Sequence, residues 1–270
     1  MRDLKHVAFA ADEVYAKPLT TAVFSLCKSN LDGIVIHILH TDLSLASQRN
    51  LITIAKRYGN EITFHLVEDV RLGTLKTNIE YISTATYYRY LLPELLPDVA
   101  KLLYLDADIM VLRDLSDLFA TPLTNAYAAG VHDRCVSKRD DGQYLSKIGF
   151  GHLKSHYINA GVLLLNLEHI RKDSLIQSFF DNDQKLREIC YFQDQDVLNV
   201  SFNTQVKLVD MMFNWMTYER DRRRLFSRFK NPYIVHFTGP VKPWHEGVLG
   251  YWNEKYKELS KECNELLKDE

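Results

Sequence analysis

"LLYLDADIMVLRDLSDLF" occupies residues 102–119. Its first four residues form a short apolar run, the pattern of a strand buried on both faces. Two aspartates end that run, Asp106 and Asp108, one residue apart. An ionised carboxylate at the end of a buried strand is costly unless a cation meets it. The i, i+2 spacing puts both side chains on one face of an extended strand, with origins about 7 Å apart. One ion cannot take both at about 2.1 Å unless the chain bends near Asp108 or one carboxylate acts through water. A strand end is where such a bend is available. A helix cap plus a surface charge would explain a bare D-x-D, but it leaves the carboxylate after Leu-Leu-Tyr-Leu uncompensated. The stretch therefore points to a bound metal ion.

Working outward, the first third of the chain alternates in type. "HVAFAA" (6–11) and "IVIHIL" (34–39, broken only by His37) read as buried strands, and "EITFHLV" (61–67) alternates as a third. Between the first two, Leu19, Ala22, Val23 and Leu26 recur at helical spacing, with Pro18 in the first turn. Between the second and third, Leu51, Ile54, Ala55 and Tyr58 share a helical face. Strand, helix, strand, helix, strand predicts an α/β fold with a parallel sheet. Ligands then bind outside the carboxyl ends of the strands. No G-x-G-x-x-G follows the first strand; "AADEVY" (10–15) stands in its place.

Further along, "KLLYLDAD" (101–108), "AYAAGV" (126–131), "GVLLLNL" (161–167) and "PYIVHF" (232–237) read as strands, and "DVLNVSF" (196–202) as a helix start. From Tyr251 the tail is helical, with Trp252, Tyr256, Leu259, Cys263 and Leu266 on one face. No repeat or linker interrupts the chain. The reading is one catalytic domain over 1–250 and a C-terminal helix over 251–270.

Composition excludes several classes. Of 270 residues, 46% are apolar and 25% charged, as in a globular protein with a full core. A net charge of -2 gives no reason to expect nucleic acid. The four cysteines (Cys27, Cys135, Cys190, Cys263) include no C-x-x-C pair, which argues against a zinc site or a disulfide framework. A reducing compartment is the easier reading. The N-terminus is too short and broken for a signal peptide, and no apolar stretch approaches the roughly 18 residues that span a bilayer. The expectation is a cytoplasmic protein with at most peripheral membrane contact.

Several stretches carry chemistry. In "HFTGPVKPWH" (236–245), His236 follows a strand, Gly239 allows close backbone approach to an anion, and Lys242 is a point charge suited to phosphate. "YINAGVLLLN" (157–166) opens a strand with Asn159, Ala160 and Gly161, small enough for a ligand or a tight turn. "FQDQDVLN" (192–199) puts Asp194 and Gln195 at a helix start, where Asp194 is a cap or a substrate ligand. "STATYYRYLL" (83–92) holds Arg89 on an otherwise apolar and aromatic helix; a semi-buried arginine wants a carboxylate, and Asp106 is a candidate. D-x-D after an apolar strand also serves as nucleophile and acid in haloacid-dehalogenase-like phosphatases. Their motif continues with Gly-Thr on the first strand, whereas here Ile109 and Met110 follow, deep in the chain.

"FAADEVY", "TYYRYLL", "LYLDADIMV", "NAGVLLLN", "QDQDVLN" and "HFTGPVKPW", in this order, resemble the family 8 retaining glycosyltransferases over about residues 6–245. That group includes bacterial lipopolysaccharide galactosyl- and glucosyltransferases. The resemblance implies a GT-A fold, a Rossmann-like, mostly parallel mixed sheet with flanking helices. It divides into a nucleotide half (about 1–110) and an acceptor half (about 111–250) around one continuous sheet. It implies a UDP-sugar donor and Mn2+, with Mg2+ admissible on ligand type. Asp106, Asp108 and His236 match the metal ligands. Ala10, Asp12 and Tyr15 match the uridine pocket, and Asp106, Ala107, Gly239 and Lys242 further nucleotide contacts. Arg89, Asn159, Asp194 and Gln195 match the donor-sugar contacts, with Asp194 or Gln195 catalytic.

Two features depart from the resemblance. Val14 lies in the uridine pocket where some members carry asparagine. The tail after Trp252 is short and mixed in charge, unlike longer basic, aromatic membrane tails. "YERDRRRLFSRFK" (218–230) is the densest basic stretch, a solvated segment or a patch for a phosphorylated or lipid-linked acceptor. "HDRCVSKRDDGQYL" (132–145) is a candidate acceptor-side loop. The expected function is metal-dependent retaining transfer of glucose or galactose from a UDP-sugar to a glycan, lipid-linked or protein acceptor in bacterial surface polysaccharide synthesis. The alternatives are a phosphohydrolase with Asp106 as nucleophile and a silent UDP-sugar-binding module.

Overall fold

The computed structural model describes residues 4–30, 33–75, 83–137, 143–217 and 231–268. Strand β1 (Lys5–Ala10) leads into helix α1 (Ala16–Ser29), β2 (Ile34–His40), α2 (Leu45–Arg57) and β3 (Glu61–Leu66). The Ser44 hydroxyl caps α2 by accepting from Ser47 N–H at 3.2 Å. β4 (Lys101–Leu105), β5 (Ile109–Val111), β6 (Ala128–His132) and β7 (Ile158–Asn166) follow. Then come α3 (Leu175–Leu186), α4 (Asp194–Phe202), β8 (Val206–Leu208), β9 (Trp215–Met216), β10 (Ile234–His236) and α5 (Tyr251–Leu266).

Seven strands form the main sheet in the order β3-β2-β1-β4-β7-β6-β8. Four of its six neighbouring pairs are parallel, and β7 runs antiparallel to both β4 and β6. The carboxyl ends of β1 and β4 and the amino end of β7 therefore meet at one edge. The sheet order turns from β1 to β4 there, the kind of switch point where α/β sheets bind ligands.

Alternation along the strands builds two cores. Val7, Phe9, Ile36, Ile38, Leu103 and Leu105 pack with α1 and α2. Ala8, Ala10, Leu39, Leu102 and Tyr104 pack on the other face with Tyr87, Tyr88 and Tyr90. Those tyrosines belong to Thr84–Leu91, where the expected helix winds as a 3-10 helix. Helix α5 buries Trp252, Tyr256 and Cys263, with Leu259 and Leu266 packed beside them. Its Glu262 meets Lys28 of α1.

The strand ends at the D-x-D stretch, while the main sheet runs on through β7 to β6 and β8. β4 stops at Leu105, three residues short of the expected end, and the chain turns at Ala107–Asp108. Asp106 N–H still donates to Gly161 O at 2.9 Å. β5 then pairs with β10 in a separate three-stranded sheet, β5-β10-β9. β5, β8 and β9 have two or three residues each, too few to show a period. The strand expected from Ala126 starts at Ala128. The 132–145 loop holds two helical turns, Arg134–Ser137 and Gln143–Lys147; residues 138–142 and the basic stretch 218–230 lie outside the described residues.

His37, the break in β2, belongs to a ladder across three strands. His6 Nδ1 lies 3.0 Å from His37 Nε2, and His37 Nδ1 lies 3.1 Å from His65 Nε2. Burial, with His65 and His6 beside it, lowers the His37 pKa from 6.5 to about 4. A histidine depressed in the fold favours folding while neutral, and that stability is lost as pH falls from about 6.5 to about 4. Unfolding free energy should drop by about 2 kcal/mol from this group between pH 7 and pH 5. Urea unfolding at both pH values checks this: His37→Gln should flatten the drop, and an unchanged drop would refute the assignment.

Candidate active site

The turn after β4 and the pairing of β5 with β10 together build the metal-binding candidate. Phe237 N–H donates to Asp108 O at 3.0 Å, and His236 stands opposite Ile109 in the β5/β10 register. A histidine distant in sequence is thereby fixed beside both aspartates. One ligand atom from each of Asp106, Asp108 and His236 can be chosen so that all lie within 4.8 Å of one another. The bend anticipated from the carboxylate spacing is what brings them together.

Cations orient the two carboxylates. Arg89 Nη2 donates to Asp106 Oδ1 at 2.8 Å, as its semi-burial suggested, and Lys242 Nζ donates to Asp108 Oδ2 at 2.5 Å. The other oxygens face the imidazole: His236 Nε2 lies 3.7 Å from Asp106 Oδ2 and 3.3 Å from Asp108 Oδ1. Burial alone would raise the Asp108 carboxyl, but Lys242 and His236 outweigh it and hold it well below the usual carboxylate range. Two oxygens and one imidazole nitrogen converging in this way fit a divalent ion of Mn2+ or Mg2+ type.

Gly161 makes room for this arrangement. A Cβ there would stand 2.2 Å from His236 Cε1 and 2.6 Å from Asp106 Oδ2. The small residue at the start of β7 thus seats the candidate ligands rather than forming a tight turn. Gly161→Ala should weaken Mn2+ binding by about 10–100-fold, the scale of a displaced ligand support. Paramagnetic resonance of free Mn2+ during titration measures this, and affinity within twofold of wild type would refute it.

A cavity of about 530 Å3 holds the expected residues. Ala10, Asp12, Tyr15, Arg89, Asp106, Ala107, Asp108, Asn159, Asp194, Gln195, His236, Gly239 and Lys242 all line it. Gly239 has a φ of 89°, a backbone region that favours glycine. Val14, expected in the uridine pocket, instead is 84% exposed and does not line the cavity. Asp12 accepts from Tyr15 N–H at 3.1 Å and from the Ser83 hydroxyl at 2.5 Å.

The other end of the cavity is a buried polar cluster. Asp194 Oδ1 accepts from the Thr86 hydroxyl at 2.7 Å, and its Oδ2 is 3.1 Å from Arg89 Nε. Burial pushes its carboxyl up to about 6, with Arg89 and Thr86 opposing the rise and Asp106 and Asp196 adding to it. Gln195 Oε1 accepts from Ala160 N–H and from Asn159 Nδ2, both at 3.0 Å. Its Nε2 donates to Asp133 at 3.2 Å and to the Tyr157 hydroxyl at 3.3 Å. Arg89 is similarly occupied, donating to Thr86 O, Ala160 O and Asp106.

Sequence reading missed Thr86, Asp133 and Asn214. Asp133 had a visible signal, because it follows the buried strand β6 as Asp106 follows β4. Asn214, a polar residue between Phe213 and Trp215, had only its incongruity. Thr86 had none.

Residues 6–247 match the family described as Glycosyl transferase family 8. A putative glycosyltransferase of Haemophilus influenzae is 28% identical over 89% of this chain and 73% of that protein. Lipopolysaccharide 1,2-glucosyltransferase of Escherichia coli is 28% identical over 91% of this chain and 74% of its own length. A solved galactosyltransferase, LgtC, in complex with donor and acceptor sugar analogs, superposes with a TM-score of 0.86 at 29% identity over 95% of each chain.

Proposed function

The chain belongs to glycosyl transferase family 8 and has the GT-A fold, and from that premise we infer that it moves glucose or galactose from a UDP-sugar, with retention, in bacterial surface polysaccharide synthesis. The acceptor is a glycan, lipid-linked or protein-borne hydroxyl. The donor half is about 1–110 and the acceptor half about 111–250, with the helix from 251 packed on them. Among the described residues no helix is long and apolar enough to cross a membrane; the working location is the cytoplasm, with at most peripheral membrane contact.

The observation that carries this reading is that the Asp106–Asp108–His236 cluster and Asp194 line one cavity. Asp106, Asp108 and His236 would hold Mn2+ or Mg2+. When bound, that ion supplies Lewis-acid stabilisation of the diphosphate leaving group. Ala10, Asp12 and Tyr15 receive the uridine. Lys242 adds positive charge at the diphosphate end, and Gly239 lets the backbone come close. Arg89 ties Asp106 to Asp194, so the leaving-group end and the sugar end hold a fixed separation.

Asp194, rather than Gln195, carries the charge that opposes the developing oxocarbenium ion. Both lone-pair directions of Gln195 Oε1 are taken by N–H donors. Asp194 is buried yet ionised above about pH 6. The phosphohydrolase alternative loses ground, because Arg89 holds one Asp106 oxygen and the matched family is a transferase family.

A panel of UDP-sugars tests the reading, with released UDP as readout. UDP-glucose or UDP-galactose should be consumed in the presence of Mn2+, with product linkage of the same anomeric configuration by NMR. No UDP-sugar turnover together with release of phosphate from simple esters would instead support the phosphohydrolase. UDP binding without turnover would support the silent module.

A further inference from the structure

We propose that Asn214 is a positioning residue that fixes the tautomer of His236 and ties it to the buried amides of the sugar end. The inference rests on His236 being a metal ligand, the reading above. Its geometry stands on a run of hydrogen bonds whose direction is set at one end by backbone N–H groups.

Gly161 N–H donates to Asn159 Oδ1 at 3.0 Å, and Ala160 N–H donates to Gln195 Oε1 at 3.0 Å. A backbone N–H can only donate, so both amide oxygens are identified without ambiguity. Asn159 Nδ2 then faces Gln195 Oε1 as a donor. The Asn214 atom that meets Asn159 Oδ1 at 2.8 Å must also be a donor, hence Nδ2. Asn214 therefore turns its Oδ1 to His236 Nδ1, 3.0 Å away. An amide oxygen can only accept, so Nδ1 carries the proton. When the ring is neutral, the form that can bind a metal, its Nε2 lone pair then faces Asp106 and Asp108; a protonated ring turns an N–H to them instead.

Three amides in series thus transmit an orientation from the backbone of β7 to the imidazole on β10. Asn214 is 1% exposed and Asn159 6%, so water does not compete for these groups. In a metal site, a histidine whose other nitrogen donates to a fixed acceptor has its ring orientation set and its ligand basicity raised.

Two substitutions, read together with the tautomer, separate this role from packing. Asn214→Leu keeps the branched outline, with two bulkier methyl groups, and removes the acceptor. Asn214→Asp keeps an acceptor for Nδ1–H and breaks the link to Asn159. Mn2+ affinity, read by paramagnetic resonance of free Mn2+, should fall about 10–100-fold in the leucine variant. It should stay within about threefold of wild type, or tighten, in the aspartate variant, on the same reasoning. Packing alone gives the same order, because aspartate matches asparagine in size and leucine overfills a buried site, so the tautomer decides between the two readings.

The tautomer itself is read by 15N-edited NMR of the metal-free protein at alkaline pH. Wild type should show His236 protonated at Nδ1, and the leucine variant should lose that preference. A wild-type ring protonated at Nε2, or leucine and aspartate variants with equal Mn2+ affinity, would overturn the proposal. Wild type that holds the Nδ1–H tautomer but binds no Mn2+ would uphold the positioning by Asn214 and refute the metal reading instead.

Discussion

Asp108→Ala should abolish the Mn2+ dependence of UDP binding and reduce transfer by about 10²–10³-fold. The side chain contributes a ligand oxygen facing His236 Nε2, and its other oxygen anchors Lys242 at 2.5 Å. Removing it takes away one of three ligands and frees a buried ammonium from its counter-charge. Lys242 then keeps the Phe237 carbonyl, which accepts from Nζ at 2.8 Å. Breaking a buried pair from one side costs about 3–5 kcal/mol, so the variant should also melt earlier. Asp108→Asn keeps the shape and separates the two effects: it should lose metal dependence with less loss of stability. Calorimetric titration of UDP with and without Mn2+ gives the answer. If Asp108→Ala still binds UDP tightly, and more tightly with Mn2+, the donor site is elsewhere.

Asp194→Asn should move activity and stability in opposite directions. The folded-state pKa, about 6, lies above the ordinary 3.8. The folded protein therefore holds a proton that the unfolded chain has released between about pH 4 and pH 6. Stability from that proton is fully present below about pH 4 and lost as pH rises through 6. At pH 8 the ionised group costs the fold up to about 3 kcal/mol by linkage. Asparagine removes that charge but leaves Arg89 with one counter-charge fewer, so a net gain of about 1–2 kcal/mol is expected. Transfer should fall at least about 100-fold, because the negative charge beside the reacting sugar is gone. Mn2+·UDP affinity should be unchanged, since Asp194 stands at the sugar end. A melting temperature at pH 8 that falls while transfer persists would refute both the strain and the role assigned to Asp194.

Much of this was readable along the chain. β1 and β2 followed from unbroken apolar runs, as strands buried on both faces show, β3 from a period of two, and α1 and α2 from a period of 3.6. The carboxylates after Leu105 announced a cation because burial makes an unpaired charge expensive. The same stretch announced its bend, since an extended D-x-D cannot close on one ion. The order of six motifs added a family, and through it expected roles for His236, Lys242, Arg89 and Asp194.

Tertiary structure decided the rest. Of the second sheet only β10 was legible, as "PYIVHF"; β5 and β9 are too short to carry a period, so the pairing that delivers His236 to Asp108 was not. The meaning of Gly161 is a close approach by residues from β10 and the end of β4, which no local pattern encodes. Nothing in "FQDQDVLN" marks the partners of Gln195, whose oxygen is saturated by Ala160 and Asn159. The direction of the hydrogen bonds through Asn159 and Asn214, and with it the nitrogen His236 presents, depends on which donors the folded backbone aims at them. Residue type and spacing are local and survive in the sequence. Hydrogen-bond partners and their polarity are set by contacts between distant segments, and exist only once the sheet has assembled.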